Sequence, residues 1–211
     1  MGEAHDPPDS ARRPAPAPAP GGVDPLAPAW AAARRGDRAA MDQICRRFLP
    51  EVLQWCRRLG GPAVDADQAT QDVFIVLLRK APDVDQVERL PAWLYAVTRR
   101  VLAQHRRRAW VRRWIPGAAP AEERPHPAAP PDLALAGRAQ ARAVQAVLHG
   151  MPDDLREVLV LCDLEQRTDP EAAELLGLKV GTAKSRLRRA RQVFRERAIA
   201  AGLGDPGEGP P

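Results

Sequence analysis

Aromatic side chains are scarce in this 211-residue chain, at only 4% of its residues. A core with so few rings must be built from Leu, Val and Ala, and each such core will be modest. Apolar–polar alternation bounded by turn residues is nearly absent too, which argues against a sheet and for an all-α fold. The three cysteines, Cys45, Cys56 and Cys162, stand apart, with no CxxC pair and no close His. Each falls in a helical apolar pattern, so they read as buried free thiols, and no metal site is expected. No stretch approaches the roughly 18 apolar residues that span a bilayer, and the N-terminus lacks the apolar stretch of a signal peptide. A cytoplasmic protein without membrane insertion is therefore expected. Enzyme chemistry finds no foothold either. Of the four His, none lies beside a nucleophile with an orienting acid, and there is no phosphate-binding Gly loop. The chain is not expected to be an enzyme and calls for no cofactor.

What it does have is positive charge and proline. Lys and Arg number 32 against 27 acids, a formal net charge of +5. That balance suits a polyanionic partner. Prolines divide the chain into two helical blocks. Residues 1 to 28, with PAPAPAP, read as an extended tail. A helical module is expected over 29 to 115, then a Pro-rich tether over 116 to 137, a second module over 138 to 201, and a loose tail from 202 to 211.

The stretch TDPEAAELLGLKVGTAKSRLRRARQVFRER, residues 168 to 197, reads as a helix-turn-helix. Thr168 and Glu171 have capping-box spacing, and Pro170 sits in the first turn, where its missing N–H costs little. The helix they open, about Asp169 to Leu176, ends at Gly177, a residue that tolerates a left-handed cap. In the next helix Ala183, Leu187, Ala190 and Phe194 form one apolar stripe. Ala173 is small enough to let the two helices cross closely. The outer face keeps Thr182, Lys184, Ser185, Arg186, Arg188, Arg189, Arg191 and Gln192. Arginine pairs bidentately with guanine edges or with phosphates, and such a turn is how a helix is offered to a major groove. A merely solvated basic helix is the competing reading.

In the first block, Pro28 to Leu59 carries two helical patterns, broken near Gly36-Asp37 and around Pro50, and Gly60-Gly61-Pro62 then interrupts the chain. Residues 65 to 81 are apolar on most of the circumference, through Ala69, Val73, Phe74, Val76, Leu77 and Leu78. A narrow strip carries Gln68, Gln71, Asp72, Ile75 and Arg79. By spacing alone that strip is equally a solvent seam or a docking surface. Residues 90 to 114 hold seven arginines and no acid between Arg99 and Arg113, with His105, Trp110 and Trp114 interleaved. Trp93, Leu94, Val97, Val101 and Leu102 form the buried side. Guanidinium beside aromatic surface suits phosphates and unstacked bases.

DADQATQDVFIVLLRKAPDV, LPAWLYAVTRRVLAQHRRR, MPDDLREVLVLCDLEQ and LGLKVGTAKSRLRRAR, in that order, resemble the extracytoplasmic-function group of sigma-70-type RNA polymerase sigma factors. The resemblance covers about residues 29 to 113 and 138 to 197. It implies two small helical modules, a sigma-2 bundle and a sigma-4 helix-turn-helix, that bind core RNA polymerase and promoter DNA. It also implies an anti-sigma partner and a role in a stress or signal response. The core-polymerase site then maps to Gln68, Gln71, Asp72, Ile75 and Arg79. Minus-10 binding and strand opening map to Trp93, Tyr95, Arg99, Arg100, Arg106, Arg107 and Arg108. The minus-35 element is assigned to Thr182, Lys184, Ser185, Arg186, Arg188 and Arg189. This chain has Gln68 where the family usually has an acid, Arg100 where it usually has Asn, and Thr-Asp-Pro where Ser-Tyr is common. A plain DNA-binding repressor or activator would need neither the 68–81 helix nor the Trp93-to-Arg108 segment; a scaffold whose basic segments bind RNA non-specifically is a third reading.

Overall fold

Helix ends in this chain are written by capping residues. Asp37 accepts from the Ala40 amide at 3.1 Å and opens the helix Arg38–Gly60. Asp65 accepts from the Asp67 and Gln68 amides, each at 3.0 Å, and opens Ala66–Lys80. Each cap satisfies amides that a helix start leaves without an intrahelical partner.

The computed structural model describes residues 24–113 and 134–204. Residues 116–133 of the expected tether, 1–23 of the first expected tail and 205–211 of the second lie outside those residues, whereas 134–137, expected in the tether, are helical. Among the described residues every regular element is helical. The first module comprises α1 (Ala27–Arg34), α2 (Arg38–Gly60), α3 (Ala66–Lys80) and α4 (Leu90–Arg113), with two short 3-10 turns between α3 and α4. The second comprises α5 (Ala134–His149), α6 (Asp153–Leu159), a π-helical turn at Val160–Leu164, α7 (Asp169–Leu176) and α8 (Val180–Ala200). Pro28 lies in the first turn of α1, so the proline expected to close the tail instead helps start a helix.

Pro50 does not break the chain as its type suggests. α2 runs through it. Interior proline costs about 3 kcal/mol, yet Ile44, Phe48, Val52, Trp55, Cys56 and Leu59 on this helix are all buried. That burial offsets the loss. Pro50 itself points to solvent, where water can bond the orphaned carbonyl.

The cores are aliphatic as composition requires, with one addition. Trp30 and Trp55, which periodicity did not single out, are fully buried. The Trp30 indole donates to the Val84 carbonyl at 3.1 Å, tying α1 to the loop before α4. A single buried cluster continues from Trp30 and Ile44 through Leu94 and Leu102 to Leu148, Leu155, Leu161 and Leu187. The two modules thus meet over a shared apolar face.

Candidate nucleic-acid interface

The helix-turn-helix forms where the residues placed it. The Thr168 amide and hydroxyl both donate to the Glu171 carboxylate, at 2.7 and 2.8 Å. Gly177 ends α7 at φ 65°, a left-handed conformation that costs glycine nothing. Ala173, Ala183, Leu187 and Ala190 are buried and Phe194 is half-buried, so α8 packs through its expected stripe. On the outer face, Lys184 stands 3.9 Å from Asp169, Arg186 stands 3.9 Å from Asp154, and Arg191 pairs with Asp163 at 2.7 Å. Thr182 and Arg186 are half-buried, and the Ser185 hydroxyl turns back to the Thr182 carbonyl. Arg188 and Arg189 are exposed and have no ion pair among the described residues. Theirs are the guanidinium groups that duplex DNA would find open.

α4 is arranged differently. Its buried side holds Leu94, Val97, Val101 and Leu102 as expected, with Trp93 only half-buried. Tyr95, assigned from the resemblance to DNA, lies fully inside, its ring edge-on to Trp55 at 5.0 Å. It offers no surface to a base in this arrangement. Arg99 is bonded to Glu157 of α6 at 2.7 Å. Arg106 bonds the Leu59 carbonyl at 3.1 Å and Asp153 at 2.9 Å. Arg100, Arg107 and Arg108 remain exposed. With Gln104, Val111 and Arg112, the last two line a shallow cavity of about 550 Å³ near the end of α4.

On α3, Gln68, Gln71, Ile75 and Arg79 are exposed together, and Asp72 is half-buried, bonded to His105 of α4 at 2.8 Å. Leu78, expected in the core, is instead 56% exposed, so the strip is more apolar than its polar residues suggested. Ile75 and Leu78 lie on the open side because α2 and α4 already cover the opposite face.

Sequence periodicity missed the residues joining the modules. Trp55 donates its indole N–H to Glu165 at 3.0 Å, and Arg58 stands 3.5 Å from the same carboxylate. Arg167 reaches Glu51 at 3.2 Å. Burial pushes the Glu157 carboxyl above its usual range, opposed by the Arg99 bond. Glu165 is raised likewise by burial, opposed by the Trp55 bond. His149 rests its ring against Gly61, whose φ of 86° is a conformation that favours glycine. Burial, then the nearby Arg156, lower the His149 pKa from 6.5 to about 4. One signal was available: Glu157 and Glu165 interrupt the apolar run LREVLVLCDLE, and an acid in such a run needs a partner from elsewhere.

Known proteins resemble this chain in both modules. The Sigma-70 region 2 family matches residues 44–112, and the Sigma-70, region 4 family matches residues 141–193. The ECF RNA polymerase sigma factor SigE of Mycolicibacterium smegmatis is 32% identical over 169 residues, 76% of this chain and 63% of that protein. The chain thus spans under two thirds of that relative's own length. The ECF RNA polymerase sigma factor SigM of Mycobacterium tuberculosis is 30% identical over 162 residues, 74% of this chain and 76% of the relative. Among solved structures, CnrH of Cupriavidus metallidurans, in complex with the cytosolic domain of CnrY, aligns with a TM-score of 0.58 and 25% identity. That match covers 82% of this chain and 96% of the other. With both module families present in order, the chain belongs to the extracytoplasmic-function group of sigma-70-type RNA polymerase sigma factors, a family of transcription-initiation factors.

Proposed function

We propose that this chain directs core RNA polymerase to specific promoters and aids strand opening, as part of a stress or signal response. The observation that carries the reading is the open cationic face of α8 on a capped helix-turn-helix, with Arg188 and Arg189 unpaired among the described residues. These two arginines, with Lys184, Ser185, Thr182 and Arg186 beside them, read the minus-35 duplex. The exposed strip Gln68, Gln71, Ile75 and Arg79, with Leu78, docks on core polymerase, while Asp72 holds α3 to α4 through His105. Trp93, Arg100, Arg107 and Arg108 meet the separating minus-10 strand. Arg99, Arg106 and Tyr95 join them once α6 moves away.

The energetics are suitable. Opening a base step costs about 1.4 kcal/mol on average, and stacking a base on an aromatic recovers about 1–3 kcal/mol. Capturing one or two bases is enough to bias melting. Catalysis belongs to the polymerase, and the work is done in the cytoplasm where that enzyme acts. An anti-sigma protein is a further partner, as the family resemblance implies, and CnrH itself assembles with the cytosolic domain of CnrY.

Transcription from a random DNA library with purified bacterial core polymerase tests the reading. Initiation should require the chain and enrich one spaced pair of elements. Arg188→Ala with Arg189→Ala should abolish that enrichment, and Ile75→Asp should abolish co-elution with core. Enrichment by core alone, or none with the chain, refutes the reading.

A further inference from the structure

α1 lies outside the matched family region, which begins at residue 44. It nevertheless makes three hydrogen bonds to the loop between α3 and α4, 51 to 54 positions further along. The Trp30 indole donates to the Val84 carbonyl at 3.1 Å. Arg34 donates to the Asp85 carbonyl at 3.3 Å and to the Asp85 carboxylate at 2.8 Å. α1 is a firm base for these bonds because Trp30 and Ala33 are both buried. Arg34 sits in its last turn, where the helix dipole favours a cation.

The loop is pegged at two points. Val84 and Val87 are buried, and the residues between them, Asp85 and Gln86, face solvent. Arg34 therefore ties down a stretch that burial leaves free. From there the chain turns through Val87–Arg89 into α4, and Trp93 follows one turn later. A base that stacks on Trp93 thus approaches beside this loop. The charges suit that approach: Asp83 stands 3.3 Å from Lys80 and Asp85 stands 2.8 Å from Arg34, so two acids that would repel a phosphate are countered. Folding stability is a poor reason for the Arg34 contact. Asp85 is 84% exposed, and ion pairs at such sites contribute little to folding.

We infer that α1 is a positioning element for strand capture: Trp30 and Arg34 hold residues 84–86 in the shape that leaves Trp93 open to an unstacked base, and Arg34 keeps Asp85 from repelling the strand. Neither residue needs to touch DNA. The inference rests on the proposed reading of Trp93 as part of the minus-10 surface, and adds to it a brace from the first helix.

The experiment uses the full chain with bacterial core polymerase on supercoiled DNA carrying the element pair that the unaltered chain enriches. Permanganate-reactive thymines report open complexes, with core co-elution and melting temperature followed beside them. Arg34→Ala should lower open complexes roughly ten-fold, the size of one lost hydrogen bond to a charged group, with co-elution and melting temperature unchanged. Arg34→Lys keeps the charge but not the planar fork that serves carbonyl and carboxylate together, so it should recover part of the loss. Asp85→Asn added to Arg34→Ala removes the repelling charge without restoring the tie, and should also recover only part. Full recovery in that pair would reduce Arg34 to a counter-charge and overturn the positioning role. Parental levels of open complexes in Arg34→Ala, or a loss matched by weaker co-elution or a lower melting temperature, overturn the inference and leave the promoter reading intact. No open complexes with the unaltered chain would refute that reading, and the inference with it.

Discussion

α4 and α8 are both arginine-rich helices with an apolar stripe, yet the fold treats their charges in opposite ways. On α8 the acids come from its own module: Asp163 pairs with Arg191 at 2.7 Å, Asp154 and Asp169 stand only 3.9 Å from Arg186 and Lys184, and Arg188 and Arg189 are left open. On α4 the acids come from another module and meet Arg99 and Arg106 at 2.7 and 2.9 Å, at a face backed by buried apolar residues. Exposed pairs are worth little, while half-buried and hydrogen-bonded ones hold their geometry. A run of arginines therefore says nothing by itself about which guanidinium a ligand can reach. Availability depends on where the acids fold.

The sharpest way to break the comparison is to remove what backs α4. Trp55→Ala should cost roughly 3–5 kcal/mol of stability, as expected for a fully buried large ring. It also leaves Glu165 without its indole donor. Arg188→Ala on α8 should stay within about 0.5 kcal/mol of the parent, as surface changes do. Urea unfolding followed by circular dichroism checks both, and equal midpoints would erase the difference drawn between the two helices.

DNA binding should invert that order. Arg188→Ala or Arg189→Ala should weaken duplex binding by roughly 1–3 kcal/mol where the side chain reads a base, or reduce the salt slope by about one where it meets only phosphate. Arg99→Ala should change duplex binding by the free chain far less, because Glu157 holds its Nε and neutralises its charge. Titrations at several salt concentrations decide the matter. A larger loss from Arg99→Ala would mean that α4 is open in solution.

A smaller effect is expected at His149, on the seam beside α4. Its folded pKa of about 4 lies below the usual 6.5. The unfolded chain therefore binds the proton more readily in that window, and stability falls as pH drops from 6.5 through 4. The loss should reach about 2 kcal/mol after allowance for solvent screening of a partly exposed group. Glu157 and Glu165, raised by burial, act in the opposite sense, favouring the closed chain at low pH and losing that contribution as pH rises through their raised values. Comparing the chain with His149→Gln cancels the glutamate contribution. The histidine assignment falls if the two pH–stability curves run parallel.

Much of the candidate site was legible because its signals are local. The Thr168–Glu171 cap, the Gly177 turn and the Ala183-to-Phe194 stripe each depend on residues within a few positions, and all three form as read. The buried side of α4 was legible for the same reason. Pro50 misled because its local penalty is overridden by the burial of the rest of α2. Tyr95 was out of reach, since its burial depends on Trp55 and on acids about sixty residues further along. Leu78 was misplaced because helical spacing marks an apolar arc without saying how much of it neighbours will cover.

The sequence by itself determined an all-α chain, two helical modules, a capped helix-turn-helix and a surplus of arginine over acid. Periodicity and capping act over single turns, so one strand of text suffices to read them. Only the tertiary structure decided which arginines are spoken for. The pairing of Arg99 with Glu157, of Arg106 with Asp153 and of Trp55 with Glu165 spans about 47 to 110 positions. Such contacts exist only when apolar faces on both modules bring them together, and no local pattern records that meeting.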